Sequence, residues 1–153
     1  MGYLNWWYNL CMDDLKLVTA TGEPDPEDKK ALVDGLLAHH HISGHPRKSE
    51  QFSIILKDQQ NKVLGGIIVS FLWNGMEIQS LWVDESVRKQ GWGRKLMEEA
   101  EKEAVKRNCT IAYTNTFPWQ APEFYQELGY ALYGKLEGFP EGNSLSYFSK
   151  KLV

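Results

Sequence analysis

The residue types and spacings best suited to chemistry run from Leu81 to Lys95: Leu81-Trp82-Val83-Asp84-Glu85-Ser86-Val87-Arg88-Lys89-Gln90-Gly91-Trp92-Gly93-Arg94-Lys95. An apolar strand-like run enters a basic turn carrying two glycines, and a helical pattern begins on its far side. This arrangement suits phosphate binding. The first N–H groups of a helix lack intrahelical partners, that end of the dipole is positive, and glycine lets an anion approach the main chain. Arg88, Lys89, Arg94 and Lys95 add positive charge around the same point. The glycines would also serve a plain tight turn with a solvated basic face, so the reading needs companions elsewhere in the chain.

Other candidate groups carry less. His39, His40 and His41 are consecutive at a predicted helix end and His45 follows, so their rings point in different directions without a recognisable zinc spacing. No metal is expected; His39 or His40 could contact substrate or relay a proton, or all four could be ordinary loop histidines. Cys11 and Cys109 form neither a disulfide framework nor a ligand pair. Neither Gly-x-x-x-x-Gly-Lys-Ser/Thr nor Gly-x-Gly-x-x-Gly occurs, which argues against a nucleotide-binding loop.

The elements that must position the glycine turn can be read from periodicity and breakers. Leu15 to Ala20 reads as a strand, and Asp25, Pro26, Glu27 and Asp28 then open a helix with Leu32, Val33, Leu36 and Leu37 at helical spacing. That helix should end between His39 and Gly44. Gln51 to Lys57, Lys62 to Trp73 and Met76 to Val83 read as an antiparallel meander, with Asn74-Gly75 as its second turn. From Gly91 to Arg107 the pattern becomes helical: Leu96, Ala100 and Ala104 form a stripe, and Glu98–Lys102 and Glu103–Arg107 are spaced for surface pairing. Thr110 to Thr114 reads as a strand. Ala121, Phe124, Tyr125 and Leu128 share a helical face before Gly129, and Tyr130 to Leu136 and Leu145 to Ser149 close a mixed α/β plan.

Composition narrows the class. The 153 residues, 42% hydrophobic and 24% charged, fit one globular domain rather than a disordered chain. A net charge of -3 supplies no overall basic field for nucleic acid or an anionic membrane. No apolar run reaches the roughly 20 residues that span a bilayer, and the aromatic N-terminus lacks the basic and aliphatic regions of a signal peptide. Cytoplasmic localisation fits two unpaired cysteines. Because Met12 directly precedes the first strand-like run, residues 1–11 read as an N-terminal extension and 12–153 as a single domain.

The glycine turn resembles motif A of the GNAT acetyltransferases, where Arg/Gln-x-x-Gly-x-Gly/Ala binds the pyrophosphate of CoA; Arg88, Gly91 and Gly93 fall on the patterned positions. Leu81-Trp82-Val83-Asp84 resembles the family's fourth strand, whose backbone pairs with the pantetheine arm and whose bulge offers an N–H to the thioester carbonyl. Ala121-Pro122-Glu123-Phe124-Tyr125-Gln126-Glu127-Leu128-Gly129-Tyr130 resembles the family's Ala-x-x-x-Tyr-x-x-x-Gly-Phe/Tyr signature. The resemblance covers residues 13–150, with one departure: Pro118 stands where many relatives have Asn, leaving Gln120 as a substitute contact for pantetheine. It implies a twisted, mostly antiparallel mixed sheet of about six or seven strands with about four helices, splayed between the family's strands four and five.

The resemblance further implies an N-acetyltransferase, moving the acetyl group of acetyl-CoA to a primary amine by direct attack in a ternary complex. CoA would lie on Leu81, Trp82, Val83, Arg88, Lys89, Gln90, Gly91, Trp92, Gly93, Arg94 and Gln120. The acceptor would be a small-molecule or peptide amine, and a homodimer is left open. Attack on a thioester requires a neutral amine, a polarised carbonyl and a proton for the thiolate. A main-chain N–H near Leu81 or Trp82 would polarise the carbonyl, and Tyr125 resembles the family's general acid. Glu77 is the first candidate base, because strand alternation puts it on one face with Gln79, Leu81 and Val83. The rival is a non-catalytic acyl-CoA-binding module that kept motif A.

Overall fold

The computed structural model describes residues 15–153. The reading of residues 1–11 as an extension lies outside them. The chain divides into two compact units, Met1–Pro46 and Arg47–Val153. In the first, α1 (Pro26–Ile42) starts as its sequence dictates: Asp25 accepts a hydrogen bond from Glu27 N at 2.8 Å, and Pro26 occupies the first turn. Leu15 to Ala20 is not a strand. No ladder among the described residues includes it, and Leu15, Leu17 and Val18 are exposed; β-propensity expresses fit to a half-buried pleated surface, which this segment does not meet.

The second unit is a six-stranded sheet in the order β1-β2-β3-β4-β6-β5, formed by Ser49–Lys57, Val63–Leu72, Gly75–Val83, Ile111–Thr116, Ala131–Glu137 (β5) and Ser144–Lys151 (β6). Only β3 and β4 pair in parallel. The β1–β2 turn is tied by Asp58, whose carboxylate accepts from Gln60 N and Lys62 N, both at 2.9 Å. The next turn is built on Trp73 and Asn74 rather than Asn74-Gly75. Asn74 is held by Thr110, whose Oγ1 accepts from Asn74 Nδ2 at 2.7 Å and whose N donates to Asn74 O at 2.8 Å; Gly75 already pairs with Leu72.

Three α-helices occur among the described residues, against the four expected: α1, α2 (Trp92–Lys106) and α3 (Pro122–Glu127), with short 3₁₀ turns at Glu85–Val87 and Pro118–Gln120. The apolar stripe of α2 buries Leu96, Met97, Ala100 and Ala104 against Ile67, Val69, Phe71, Met76 and Ile78 of the sheet. On its outer side Arg107 pairs with Glu103 at 3.0 Å as expected, but Lys102 pairs with Glu99 at 2.6 Å instead of Glu98. Either spacing brings two side chains together on a helix, and i,i+3 prevails here. Glu101 fastens α2 to the far side of the sheet, accepting from Tyr130 Oη at 2.9 Å and Lys150 Nζ at 2.6 Å. Among the described residues no helix is long and apolar enough to cross a membrane.

Two bulges aim side chains. In the β2–β3 ladder Val69 faces Ile78 while Ile68 faces Ser80, so Gln79 is the extra residue. The parity of β3 inverts there: Met76 and Ile78 enter the core before it, Leu81 and Val83 pack on the same side after it. Similarly, Leu132 faces Phe148 and Gly134 faces Tyr147, which leaves Tyr133 unpaired in β5.

Candidate functional site

The β3–β4 ladder has three registered pairs, Gly75–Ile111, Met76–Ala112 and Glu77–Tyr113. Past them a cavity of about 980 Å³ is lined by Ile78–Val83 of β3, Thr114–Thr116 of β4, the turn into α2, and Trp119, Gln120, Ala121, Phe124 and Tyr125. Leu81, Trp82, Val83, Arg88, Lys89, Gly91, Trp92, Gly93, Arg94, Gln120 and Tyr125 therefore converge on one cavity from two separate segments of the chain. Gln90 and Glu77 do not line it. Gln90 instead turns its amide back to Ser86 O at 3.4 Å.

The turn into α2 is built for an anion. Gly91 is the N-cap with φ 84°, in the left-handed region that favours glycine, and an added Cβ there would meet open space. No side chain caps the helix and no acidic residue stands in its first turn, so its N-terminal N–H groups and positive dipole end are uncompensated. Arg88 donates from Nε to Val83 O at 2.8 Å and from a terminal nitrogen to Glu85 at 3.4 Å, clipping the turn while lining the cavity. Asp84 accepts from Ser86 N and Oγ, which holds its carboxyl below the ordinary range. Gly93 meets a second demand while lining the cavity: a Cβ would lie 3.3 Å from the Phe124 ring, so its smallness also admits α3. Lys95 sits 4.5 Å over the Trp92 ring, a cation–π contact that keeps its charge beside the helix start.

Tyr125 closes the inner end. Its ring is buried, 5.4 Å from Phe124, 5.9 Å from Tyr130 and 6.2 Å from Phe148 by centroids. Burial raises its pKa above the usual phenol value, against the opposing effect of a hydrogen bond shared with Thr114, so the group is a protonated O–H at neutral pH. Thr114 Oγ1 in turn donates to Ile78 O at 3.1 Å, a side-chain link between β3 and β4 where their ladder has ended. Sequence reading missed Thr114, Asn115 and Thr116 as lining residues; β4 runs two residues further than its apolar pattern indicated. Trp119, like Trp73, Trp82 and Trp92, is an aromatic that the sequence alone leaves open between core packing and an acceptor pocket. It stacks on Phe117 at 4.8 Å with planes 3° apart and is 62% exposed at the cavity wall.

Gln120 Oε1 accepts from Phe117 N at 2.9 Å, while its amide N–H groups stay available to a ligand at the cavity wall. One expectation needs correction. The Gln79 bulge puts Glu77 on the face opposite Leu81 and Val83, because the alternation used to pair them is broken between. Glu77 instead stands beside Tyr113, whose pKa is raised first by burial and then by the Glu77 charge. In the first unit, His39, His40 and His41 occupy the last turn of α1, and His45 Nδ1 is 2.8 Å from Ser43 O.

Known proteins resemble this arrangement. The Acetyltransferase (GNAT) family model matches residues 8–130. Acetyltransferase Atu2258 of Agrobacterium fabrum is 31% identical over 127 residues, covering 83% of this chain and 93% of that protein. Blasticidin-S acetyltransferase of Streptomyces morookaense is 29% identical over 107 residues, covering 69% and 79%. A crystal structure of an acetyltransferase from Bacillus cereus superposes with TM-score 0.76 at 29% identity, covering 87% of this chain and 97% of the other. An aminoglycoside 6'-N-acetyltransferase complexed with coenzyme A shares the fold at TM-score 0.61 and 20% identity, covering 84% and 93%. The α/β fold is that of a GNAT domain, and the chain belongs to the GNAT acetyltransferase family. It is an acyltransferase enzyme.

Proposed function

We propose that the enzyme transfers the acetyl group of acetyl-CoA to a primary amine of a small molecule, by direct attack within a ternary complex. The observation that carries this reading is the single cavity running from the uncapped N-terminus of α2 to the Tyr125 hydroxyl between the separated ends of β3 and β4. The residues fit CoA: Gly91 leaves open space at an anion-ready helix end, and Arg88, Lys89 and Arg94 line the same cavity. Relatives named for blasticidin S and for an aminoglycoside support a small amine as acceptor.

The bound cosubstrate supplies an activated acyl thioester; the chain supplies position, polarity and protons. Backbone N–H groups of Gly91 onward, with the neighbouring cations, would hold the pyrophosphate, and the unladdered part of β3 from Ile78 to Val83 would lie along the pantetheine arm. We read the short β3–β4 ladder as the splay that admits that arm. A main-chain N–H between the Gln79 bulge and Trp82 would polarise the thioester carbonyl. Tyr125, protonated and facing the cavity, would give its proton to the departing thiolate. Glu77 would accept the ammonium proton, directly or through water, from the sheet face away from α2. Calorimetric titration with CoA tests the first half: tight binding to the wild type and loss in Gly91→Glu are expected. Free-thiol release from acetyl-CoA across a series of amines tests the second, and no release with any of them would leave only acyl-CoA binding.

A further inference from the structure

We infer that the acceptor is a ring-bearing amine carrying a single positive charge, held on the sheet face opposite α2 by Glu77 and the rings of Tyr113, Tyr133 and Tyr147. This rests on the acetyltransfer reading above and names the acceptor class. The cavity reaches that face. Asn115 and Gln79 both line it, and Asn115 alternates with the buried Thr114 and Thr116, so it points away from the core. Across the sheet Asn115 is paired with Tyr147 of β6, and Glu77 with Tyr113 of β4. Tyr113 and Asn115 share a face, as Tyr147 does with Ser149, the partner of Tyr113. The bulge in β5 frees Tyr133 to bring its ring 6.1 Å from that of Tyr147, tilted by 52°. With strands about 4.8 Å apart, the whole group spans roughly 15 Å, the size of a small ring system rather than of a protein surface.

Chemistry and charge then select the ligand. Two rings inclined to each other form an apolar wedge that can grip a ligand ring, and their negative faces attract an ammonium ion. Glu77 makes no ion pair among the described residues, and its charge acts on Tyr113. It is the one carboxylate among the strand residues of this face. Arg47 also acts on Tyr113, with opposite sign, and Lys151 shares the face at the ladder's end. Glu77 can pair with one ammonium group, while Arg47 and Lys151 repel any further positive charge, which opposes a polycation such as a linear polyamine or a many-amine sugar.

The test uses the full chain loaded with CoA, titrated with 2-phenylethylamine, n-hexylamine and spermidine, and the same three amines as acceptors with acetyl-CoA. 2-Phenylethylamine should bind, and show kcat/KM, about three- to tenfold better than n-hexylamine, with spermidine no better than n-hexylamine. The double variant Tyr133→Leu, Tyr147→Leu should erase the ring preference while CoA affinity and melting temperature stay near wild type. Tyr133→Leu alone, at a residue 60% exposed, reports on the same point if the double variant folds poorly. Preference for spermidine, equal use of the ring and chain amines, amine binding to no CoA-loaded protein, or a ring preference that survives both variants would each overturn the inference. Failure of the underlying reading looks different: CoA itself does not bind, or amines bind without thiol release.

Discussion

Tyr125 draws its chemistry from its surroundings. Packed edge-on against Phe124 and Tyr130 and stacked on Phe148, its phenol stays protonated where a surface tyrosine would begin to ionise, and it still reaches the cavity. Tyr125→Phe keeps the ring and removes the proton; acetyl transfer should fall by about tenfold or more with CoA affinity unchanged, measured as thiol release at saturating acetyl-CoA. Burial has a stability counterpart. The folded-state pKa values of Tyr125 and Tyr130 are both raised, so their contribution is complete below the ordinary phenol value of 10.0 and is lost as pH climbs from there towards the folded values. Melting temperature should therefore drop above that pH, and Tyr130→Phe should flatten the drop; an unchanged slope would mean the Tyr130 phenol is not responsible. At Glu77 the expected signature is kinetic. Amines are mostly protonated at neutral pH, so Glu77→Gln should lower turnover most there and recover partly in alkaline buffer as free amine accumulates. Wild-type pH–rate behaviour in that variant would move the base to an ordered water or another group.

Among the elements, α2 was legible because its needs are local: an apolar stripe at helical period, glycines at its start and charges on its outer side all lie within one stretch of chain. The site's other half was less so. A bulge carries no obligatory glycine, and nothing in Gln79 or Ser80 marks the extra residue that puts Glu77 across the sheet from Leu81. Thr114 gains its task only when β4 meets α3, and the Leu15–Ala20 pattern fails for want of a neighbouring strand. Gly65 shows how closely the elements are fitted, since an added Cβ would lie 2.8 Å from Trp82 O beside the cavity wall. Gly65→Ala should cost about 1–3 kcal/mol in denaturant unfolding, because only backbone movement can make room. Glu101→Ala would strip both Tyr130 and Lys150 of a partner at a carboxylate 15% exposed, and should cost a similar amount, about 1–3 kcal/mol. Stability equal to wild type would show that α2 is held by its apolar stripe alone.

At the scale of the whole molecule, the second unit has its ligand space in the middle of a sheet rather than at an edge. The strands on either side of the gap are paired along most of their length: eight registered partners join β2 to β3 and six join β4 to β6, whereas three join β3 to β4. Mechanically, such a sheet is two stiff plates meeting along a short seam. The seam is where the fabric should tear first, so amide hydrogens near Glu77 and Tyr113 should exchange with deuterium before those of the β1–β2 and β4–β6 ladders. A molecule lodged between the plates would act as a rivet, and adding CoA should slow exchange at 78–83 and 114–116 on both sides at once. Substrate binding and resistance to unfolding would then be one property of this chain, with the plates drifting apart soonest in a cell that has run short of its cosubstrate.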